Sequence, residues 1–341
     1  MYWTTSCLEP RIEAISKEVF ALARYFRDSF VFGVSSHYLF KFSNNDRYVG
    51  FQSQFDPLLR LLIPLFETRT KINHVYGEVS PWLFHKTLRT KPIILTIASE
   101  KGAPIPEFLL RCAAIVVQTE GMRRRLLSLG IDEQKVHIVY PGVDLEKFKP
   151  AGKSPSLKKP RILFATAPRS KAELEARGVP LLVNTAQHYP DISFHFLFRK
   201  WNSGYTSLVP TRALIEQLGL ENVTLTNTVV DDMPSLYREH HFTVIPYTKT
   251  DGGKECPNSM IESLACGVPV LISEISPFSS FISKNSCGVV FSCTYQGLRK
   301  AVEKGVYNYN ELRRAAREVA SKHFCKNKVF AFYQNIYNSL S

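Results

Sequence analysis

The chain has 341 residues, room for two domains of ordinary size, and its 45% hydrophobic and 21% charged residues describe a globular protein. A formal charge of +13 favours an anionic partner: a nucleotide diphosphate, an acidic membrane surface, an anionic polymer or nucleic acid. The basic residues are spread along the chain without an RNA- or DNA-binding motif, so nucleic acid is not an expected partner. Seven cysteines, an odd number with no CxxC spacing, argue against a disulfide framework or a zinc site and fit a reducing cytoplasm. The start, Met1-Tyr2-Trp3-Thr4-Thr5, does not read as a signal peptide. The longest apolar run, residues 58–66, is broken by Arg60 and Pro64, so no membrane span is predicted.

In chain order, Tyr2-Trp3-Thr4 reads as a short strand, with Ser6 to Pro10 as the loop at its carboxyl end. Residues 12–26 form an amphipathic helix with Ile12, Ile15, Val19, Leu22 and Phe26 on one face. Residues 30–34 and 72–75 read as strands, and residues 57–66 as a helix that is hydrophobic nearly all round. Residues 92–98 are a buried strand, so Ser99 and Glu100 occupy a carboxyl end, where open α/β sheets place ligand-binding groups. Glu100 reads either as a ligand for an acceptor hydroxyl or as a solvated loop residue. His74 reads as a packed histidine rather than a catalytic one. Thr119 can cap a helix carrying Arg123-Arg124-Arg125, which spread over nearly a full turn and cannot share one face. They are a solvated surface or a contribution to binding anionic headgroups. Tyr140-Pro141-Gly142 closes the first domain, and residues 149–160, rich in Lys, Pro and Ser, form a linker.

Residues 161–165 begin the second domain, and the loop after them holds Arg169 and Lys171. A helix starts after Arg177-Gly178, and Arg199 ends the strand 192–198. Residues 223–226 form another strand; Asp231-Asp232 invites a metal reading, but a helix N-terminus explains the pair better, and no DxD pattern ends a strand. Residues 242–247 lead into the most informative stretch, Asp251 to Ile272. There Pro257 suits a first helical turn, Asn258 or Ser259 can cap it, and Ile261, Leu264 and Ala265 share a face. Gly267 stops the helix, and residues 268–272 read as a strand buried on both faces. Free amides at such a helix start suit a phosphate. Glu262, one turn in, either accepts hydrogen bonds from sugar hydroxyls, as an acidic residue does for ribose in dinucleotide folds, or is an ordinary solvated glutamate. Strand and helix alternate throughout, which predicts an α/β fold.

The run Pro257-Asn258-Ser259-Met260-Ile261-Glu262-Ser263-Leu264-Ala265-Cys266-Gly267-Val268-Pro269-Val270 resembles the nucleotide-sugar motif of glycosyltransferase family 4, the retaining GT-B enzymes. Residues 114–123, with Tyr140-Pro141-Gly142-Val143-Asp144 and Phe148-Lys149-Pro150, resemble the end of that family's first domain and its hinge. The resemblance implies a GT-B fold: two doubly wound Rossmann-like domains facing one another across a cleft. The implied division is residues 1–150, acceptor-side; 151–322, nucleotide-sugar-binding; and 323–341, a terminal helix crossing back to the first domain. The implied reaction moves a hexose from a UDP-, GDP- or similar nucleotide-diphosphate sugar to a glycan or lipid-linked acceptor, with retention of configuration and no metal or cofactor. Arg169, Lys171 and Glu255 are then the catalytic candidates. Arg199, Asn258, Ser259, Met260 and Glu262 are the donor-binding candidates, and Ser99 and Glu100 the acceptor-side ones. The expected location is the cytoplasm, with an anionic membrane surface as an expected contact.

Departures from the family pattern carry weight of their own. The glycine pair after the first strand is missing, and Ser99 and Glu100 stand where many members present a histidine. The Gly-Arg and Lys-Gly spacing around Arg169 and Lys171 is not reproduced, although Arg177-Gly178 resembles the second element. The position eight before Glu262 is Lys254 where the family has a glutamate, and Glu255 is displaced by one. These losses keep a second reading open: a catalytically inactive nucleotide-sugar-binding partner subunit. An epimerase or phosphorylase on the same fold is a third.

Overall fold

A computed structural model describes residues 1–11, 13–34, 40–43, 47–52, 56–81, 83–99, 102–150, 152, 156–166, 168–199, 207–250 and 253–340. The chain forms two compact units, Met1–Gly142 with Asn327–Ser341, and Val143–Lys326.

In the first unit the elements run β1 (Tyr2–Cys7), α1 (Ala14–Tyr25), β2 (Val31–Val34), β3 (Phe40–Ser43), β4 (Tyr48–Phe51), α2 (Asp56–Glu67), β5 (Asn73–Glu78), β6 (Ile93–Ser99), α3 (Pro106–Arg111), β7 (Ala114–Val117), α4 (Glu120–Ser128) and β8 (Val136–Ile138). They build an eight-stranded sheet in the order β3-β4-β2-β1-β5-β6-β7-β8, parallel except for the β3–β4 pair. Successive side chains leave a strand on opposite faces, so each strand feeds two cores. Trp3, Val75, Leu95 and Val117 pack under α2, α3 and α4. Tyr2, Tyr76, Ile94 and Val116 pack on the other face, under α1. The antiparallel β3–β4 pair was not legible in the sequence, because four-residue strands carry too little periodicity. The first strand is also longer than expected, running to Cys7. Thr119 caps α4 as anticipated, accepting from the Met122 amide at 3.1 Å. Arg124 and Arg125 are exposed, and Arg123 pairs with Glu120 and Glu133.

The second unit runs β9 (Arg161–Phe164), α5 (Lys171–Ala176), α6 (Val179–His188), β10 (Ser193–Phe198), α7 (Leu208–Gln217), β11 (Val223–Asn227), α8 (Met233–Arg238), β12 (Phe242–Ile245), α9 (Asn258–Ala265), β13 (Val270–Ser273), α10 (Ser279–Lys284), β14 (Gly288–Phe291), α11 (Tyr295–Tyr307) and α12 (Tyr309–His323). Its six strands are all parallel, in the order β11-β10-β9-β12-β13-β14. Both units are therefore Rossmann-like α/β domains, the fold class expected from the sequence. Strand order reverses between β9 and β12, and the crevice outside the carboxyl ends at such a switch point is where open α/β sheets hold ligands.

The last helix, α13 (Lys326–Leu340), belongs mostly to the first unit and closes its second core with Val329, Phe330, Tyr333 and Ile336. A buried polar network ties it down. His74 pairs through Nδ1 with the Tyr337 hydroxyl at 2.7 Å and through Nε2 with the Thr96 hydroxyl at 2.8 Å. Tyr333 meets Thr96 at 3.1 Å, and Tyr76 donates to Glu18 at 2.7 Å. Burial pushes the His74 imidazole down to about 3, which keeps it neutral, so the packed reading of this residue holds.

Candidate nucleotide-sugar site

The helix α9 stands at the centre of the second unit's carboxyl edge. Its N-cap is Pro257 and no side chain caps it. This corrects the expectation that Asn258 or Ser259 would do so: both lie inside the helix, and Asn258 instead accepts a hydrogen bond from Lys254 Nζ at 3.0 Å. The Met260 amide, expected to face a phosphate, is spent on the Pro257 carbonyl at 3.0 Å, and its side chain is core. The amides of Asn258 and Ser259 remain, making no hydrogen bond with the described residues. At the other end, the Gly267 amide bonds the Leu264 carbonyl and the Val268 amide the Ser263 carbonyl, with Gly267 at φ +68°. That pair of bonds is the Schellman stop anticipated from the glycine. The following strand begins at Val270, two residues later than its apolar run suggested.

Glu262 is not a solvated glutamate. It is buried, and the hydroxyl of Tyr237 on α8 donates to its Oε2 at 3.1 Å. Burial, together with the carboxylate beside it, holds the Tyr237 phenol well above its ordinary range, so it stays a neutral donor. Asp232 caps α8 through the Ser235 amide at 3.1 Å, which fixes Tyr237 under α9. The helix-terminus reading of this aspartate is the observed one.

A second wall comes from the strand ends at the switch point. Tyr247 follows β12, and its carbonyl accepts from Ser273 Oγ at 2.6 Å and Cys293 Sγ at 3.3 Å. Gly178 has φ +72°, and a Cβ there would sit 1.9 Å from the Pro246 carbonyl oxygen, so no other residue fits. That contact sets Arg177 inside the edge. Its guanidinium donates to Thr166 Oγ1 at 2.7 Å and pairs with Glu173 at 3.2 Å, and its Nε is buried with no hydrogen-bond partner among the described residues. Burial raises the Tyr247 phenol, while the charges of Arg177 and Arg199 pull it the other way. Arg199 acts on Tyr237 as well, so it stands near both phenols. Gly253 passes so close to Tyr247 that a Cβ would lie 2.4 Å from the hydroxyl.

The remaining candidates are placed as follows. Arg169 is 47% exposed and braced against Glu173 at 3.7 Å, whereas the Arg177 side chain is 19% exposed. Lys171 is exposed on the first turn of α5. Among the basic residues near this loop it is therefore Arg177 that is held inside the edge. Glu255 and Cys256 are buried beside the start of α9. Ser99 is half-buried at the end of β6, in the first unit, and Glu100 lies outside the described residues. The sequence reading missed Tyr237 and Tyr247. Nothing near either residue marks it, because their importance comes from elements brought in from elsewhere. Among the described residues no group of His, Cys, Asp or Glu is arranged to hold a metal ion.

Two family models match the chain, one in each unit. A profile described as "Glycosyltransferase Family 4" matches residues 28–147, and one described as "Glycosyl transferases group 1" matches residues 173–306. The first unit is thus similar to glycosyltransferase family 4 and the second to the group 1 glycosyl transferases. A curated relative, the D-inositol 3-phosphate glycosyltransferase of Mycobacterium sp. (strain KMS), is 26% identical over 170 residues. That match spans 47% of this chain and 37% of the relative's length. Among solved structures, Anabaena Alr3699/HepE in complex with UDP-glucose superposes with a TM-score of 0.78 at 13% identity, covering 99% of both chains. Sucrose-phosphate synthase from Thermosynechococcus elongatus gives 0.77 at 13% identity, covering 99% of this chain and 98% of that one. These structures share the fold. Among the described residues no helix is long and apolar enough to cross a membrane.

Proposed function

We propose that the chain transfers a hexose from a nucleotide-diphosphate sugar to a glycan or lipid-linked acceptor, with retention of configuration and without a metal ion. The observation that carries this reading is the Tyr237–Glu262 pair beside the uncapped start of α9. Tyr237 holds the Glu262 carboxylate in place, and the carboxylate is the acceptor we assign to the vicinal hydroxyls of a ribose. The open amides of Asn258 and Ser259, at the positive end of a helix, suit the diphosphate. Charge develops on that diphosphate as the glycosidic bond breaks, and Arg177, Arg199 and Lys254 are the cations we assign to meet it. Arg169 and Lys171 are exposed, and serve as lesser candidates for the same task. Glu255, buried beside the helix start, is the candidate for the sugar itself. UDP is the proposed nucleotide, since the Anabaena protein of the same fold was solved with UDP-glucose. Ser99 and Glu100 are the acceptor-side proposals, and a lipid-linked acceptor would bring the chain to an anionic membrane surface.

The test is calorimetric binding followed by donor turnover. UDP-, GDP- and ADP-sugars are titrated into the protein, and released nucleotide is then quantified without acceptor, with Glu262→Ala as control. Binding of one donor and slow release, both lost in Glu262→Ala, is the expected result. Binding of none overturns the proposal. Binding with no turnover across a panel of acceptors favours the inactive partner subunit, a reading motivated by Lys254 at the glutamate position and its bond to Asn258.

A further inference from the structure

The carboxyl-terminal end of α9 is closed from outside the helix. Of its last four carbonyls, that of Glu262 takes the Cys266 amide at 3.1 Å, that of Ser263 the Val268 amide at 2.9 Å and that of Leu264 the Gly267 amide at 2.9 Å. The Schellman stop leaves the fourth, Ala265, without a backbone donor. Arg317 of α12 supplies one, its guanidinium donating to the Ala265 carbonyl at 2.7 Å. α12 packs against α9, with Ala316 and Ala320 fully buried one turn apart. A cation at this end also meets the negative pole of the helix dipole.

The same guanidinium holds a second element. It donates to the Phe148 carbonyl at 2.7 Å and to the Leu145 carbonyl at 3.2 Å, both in the segment that opens the second unit. Phe148 is buried, and its ring centre lies 6.4 Å from that of Tyr237, with the two planes at 54°. Arg238, next to Tyr237 on α8, donates to the Lys149 carbonyl at 3.3 Å, so α8 grips this segment as well. Arg317 thus touches the helix that carries Glu262 and, through Phe148, the flank of the tyrosine that donates to Glu262. These acceptors are main-chain carbonyls, so the contribution of the guanidinium here is geometric. A planar fork with five donors can bridge two chain segments at fixed spacing, which the point charge of a lysine ammonium cannot.

We propose that Arg317, acting from the far end of α9, is a positioning residue for the donor's ribose, given the assignment of that ribose to Glu262. Its removal leaves the Ala265 and Phe148 carbonyls to water and frees α9 to shift against Tyr237. The loss therefore falls on the contact between Glu262 and the ribose hydroxyls.

The experiment compares calorimetric affinities for UDP and for 2′,3′-dideoxy-UDP, which lacks those hydroxyls, well below the unfolding temperature of every variant. Arg317→Ala and Arg317→Lys are set against Asn222→Ala. The Asn222 side chain likewise donates to three carbonyls, those of Ala186, Tyr189 and Ile192 at 2.9–3.2 Å, and so controls for a general loosening of the second unit. The parent is expected to prefer UDP by about tenfold or more, the worth of hydrogen bonds to a carboxylate. Arg317→Ala should bring that preference to within about twofold, Arg317→Lys should recover part of it, and Asn222→Ala should keep it. Hydrogen exchange of residues 258–268 is followed without nucleotide, and should quicken in Arg317→Ala but not in Asn222→Ala. A full preference for UDP in Arg317→Ala overturns the proposal. Equal loss in Asn222→Ala also overturns it, since any loosening then has the same effect. Should Arg317→Ala not fold, Arg317→Lys decides: undiminished preference with unchanged exchange overturns the proposal. A parent that does not prefer UDP removes the ribose from Glu262, a failure of the donor assignment. Exchange then judges Arg317 separately, and unchanged protection in Arg317→Ala overturns its hold on the pair.

Discussion

Gly178→Ala is the substitution through which the candidate site is most directly tested. The alanine meets two costs. Its backbone must hold φ +72°, the left-handed region, at about 1–2 kcal/mol for an L-residue. Its Cβ would also sit 1.9 Å from the Pro246 carbonyl oxygen and 2.9 Å from the carbonyl carbon. Ordinary C···O contacts are about 3.3–3.6 Å, so one chain must retreat by more than ~1 Å. Neither is free to do so. The Tyr247 carbonyl is held by Ser273 and Cys293, and Thr248 donates from its amide to the Ala176 carbonyl at 3.0 Å and from its hydroxyl to the Glu175 carbonyl at 2.6 Å. Breaking two such bonds adds roughly 1 kcal/mol each, so the total is about 3–4 kcal/mol. In a domain of this size that lowers the unfolding temperature by roughly 6–16 °C. The comparator is Gly219→Ala, at φ +59° with nothing within 4 Å of its Cβ, which should lose only the left-handed penalty. Differential scanning calorimetry of both variants, with nucleotide titration of whatever remains folded, is the assay. A Gly178→Ala protein that unfolds within a degree or two of Gly219→Ala refutes the close approach and the positioning of Arg177 built on it.

Other expectations follow from the same geometry. Tyr237→Phe removes the donor to buried Glu262 and should cost about 1–3 kcal/mol of stability, with weaker UDP binding; unchanged values in both would separate the pair from the site. Arg177→Ala should weaken donor binding about tenfold or more, whereas Lys171→Ala should change it little; calorimetric dissociation constants compare the two, and the reverse ranking would return the phosphate role to the exposed lysine. His74 gives a pH signature. The unfolded chain takes up its proton near 6.5 and the folded protein only near 3, so the unfolded state binds more protons between those values. Its contribution is therefore complete above pH 6.5 and is lost as pH falls toward 3, by at most about 5 kcal/mol. Urea unfolding of His74→Gln against the parent over that range should show a flatter acid limb, and parallel limbs would exclude His74 as the cause.

The α/β class, the run 257–270 and the two family-like segments are legible in the chain alone, because they depend on local grammar. Gly267 can stop a helix, Asp232 and Thr119 can start one, and residues 92–98 can only be a buried strand; each acts within a turn or two of itself. Side-chain chemistry at the site was less legible. Glu262 reads equally as a surface or a buried carboxylate until Tyr237, from a different helix, is seen to donate to it. Arg169, Lys171 and Arg177 are alike as letters. What separates them is the contact of Gly178 with the Pro246 carbonyl, far away in the chain, which draws Arg177 inward. The leucines of α2 show the same limit from the other side. A helix apolar nearly all round must bury some of its leucines and leave others to solvent, and only packing against the sheet decided that Leu59 and Ile63 go in while Leu58, Leu61 and Leu65 stay out.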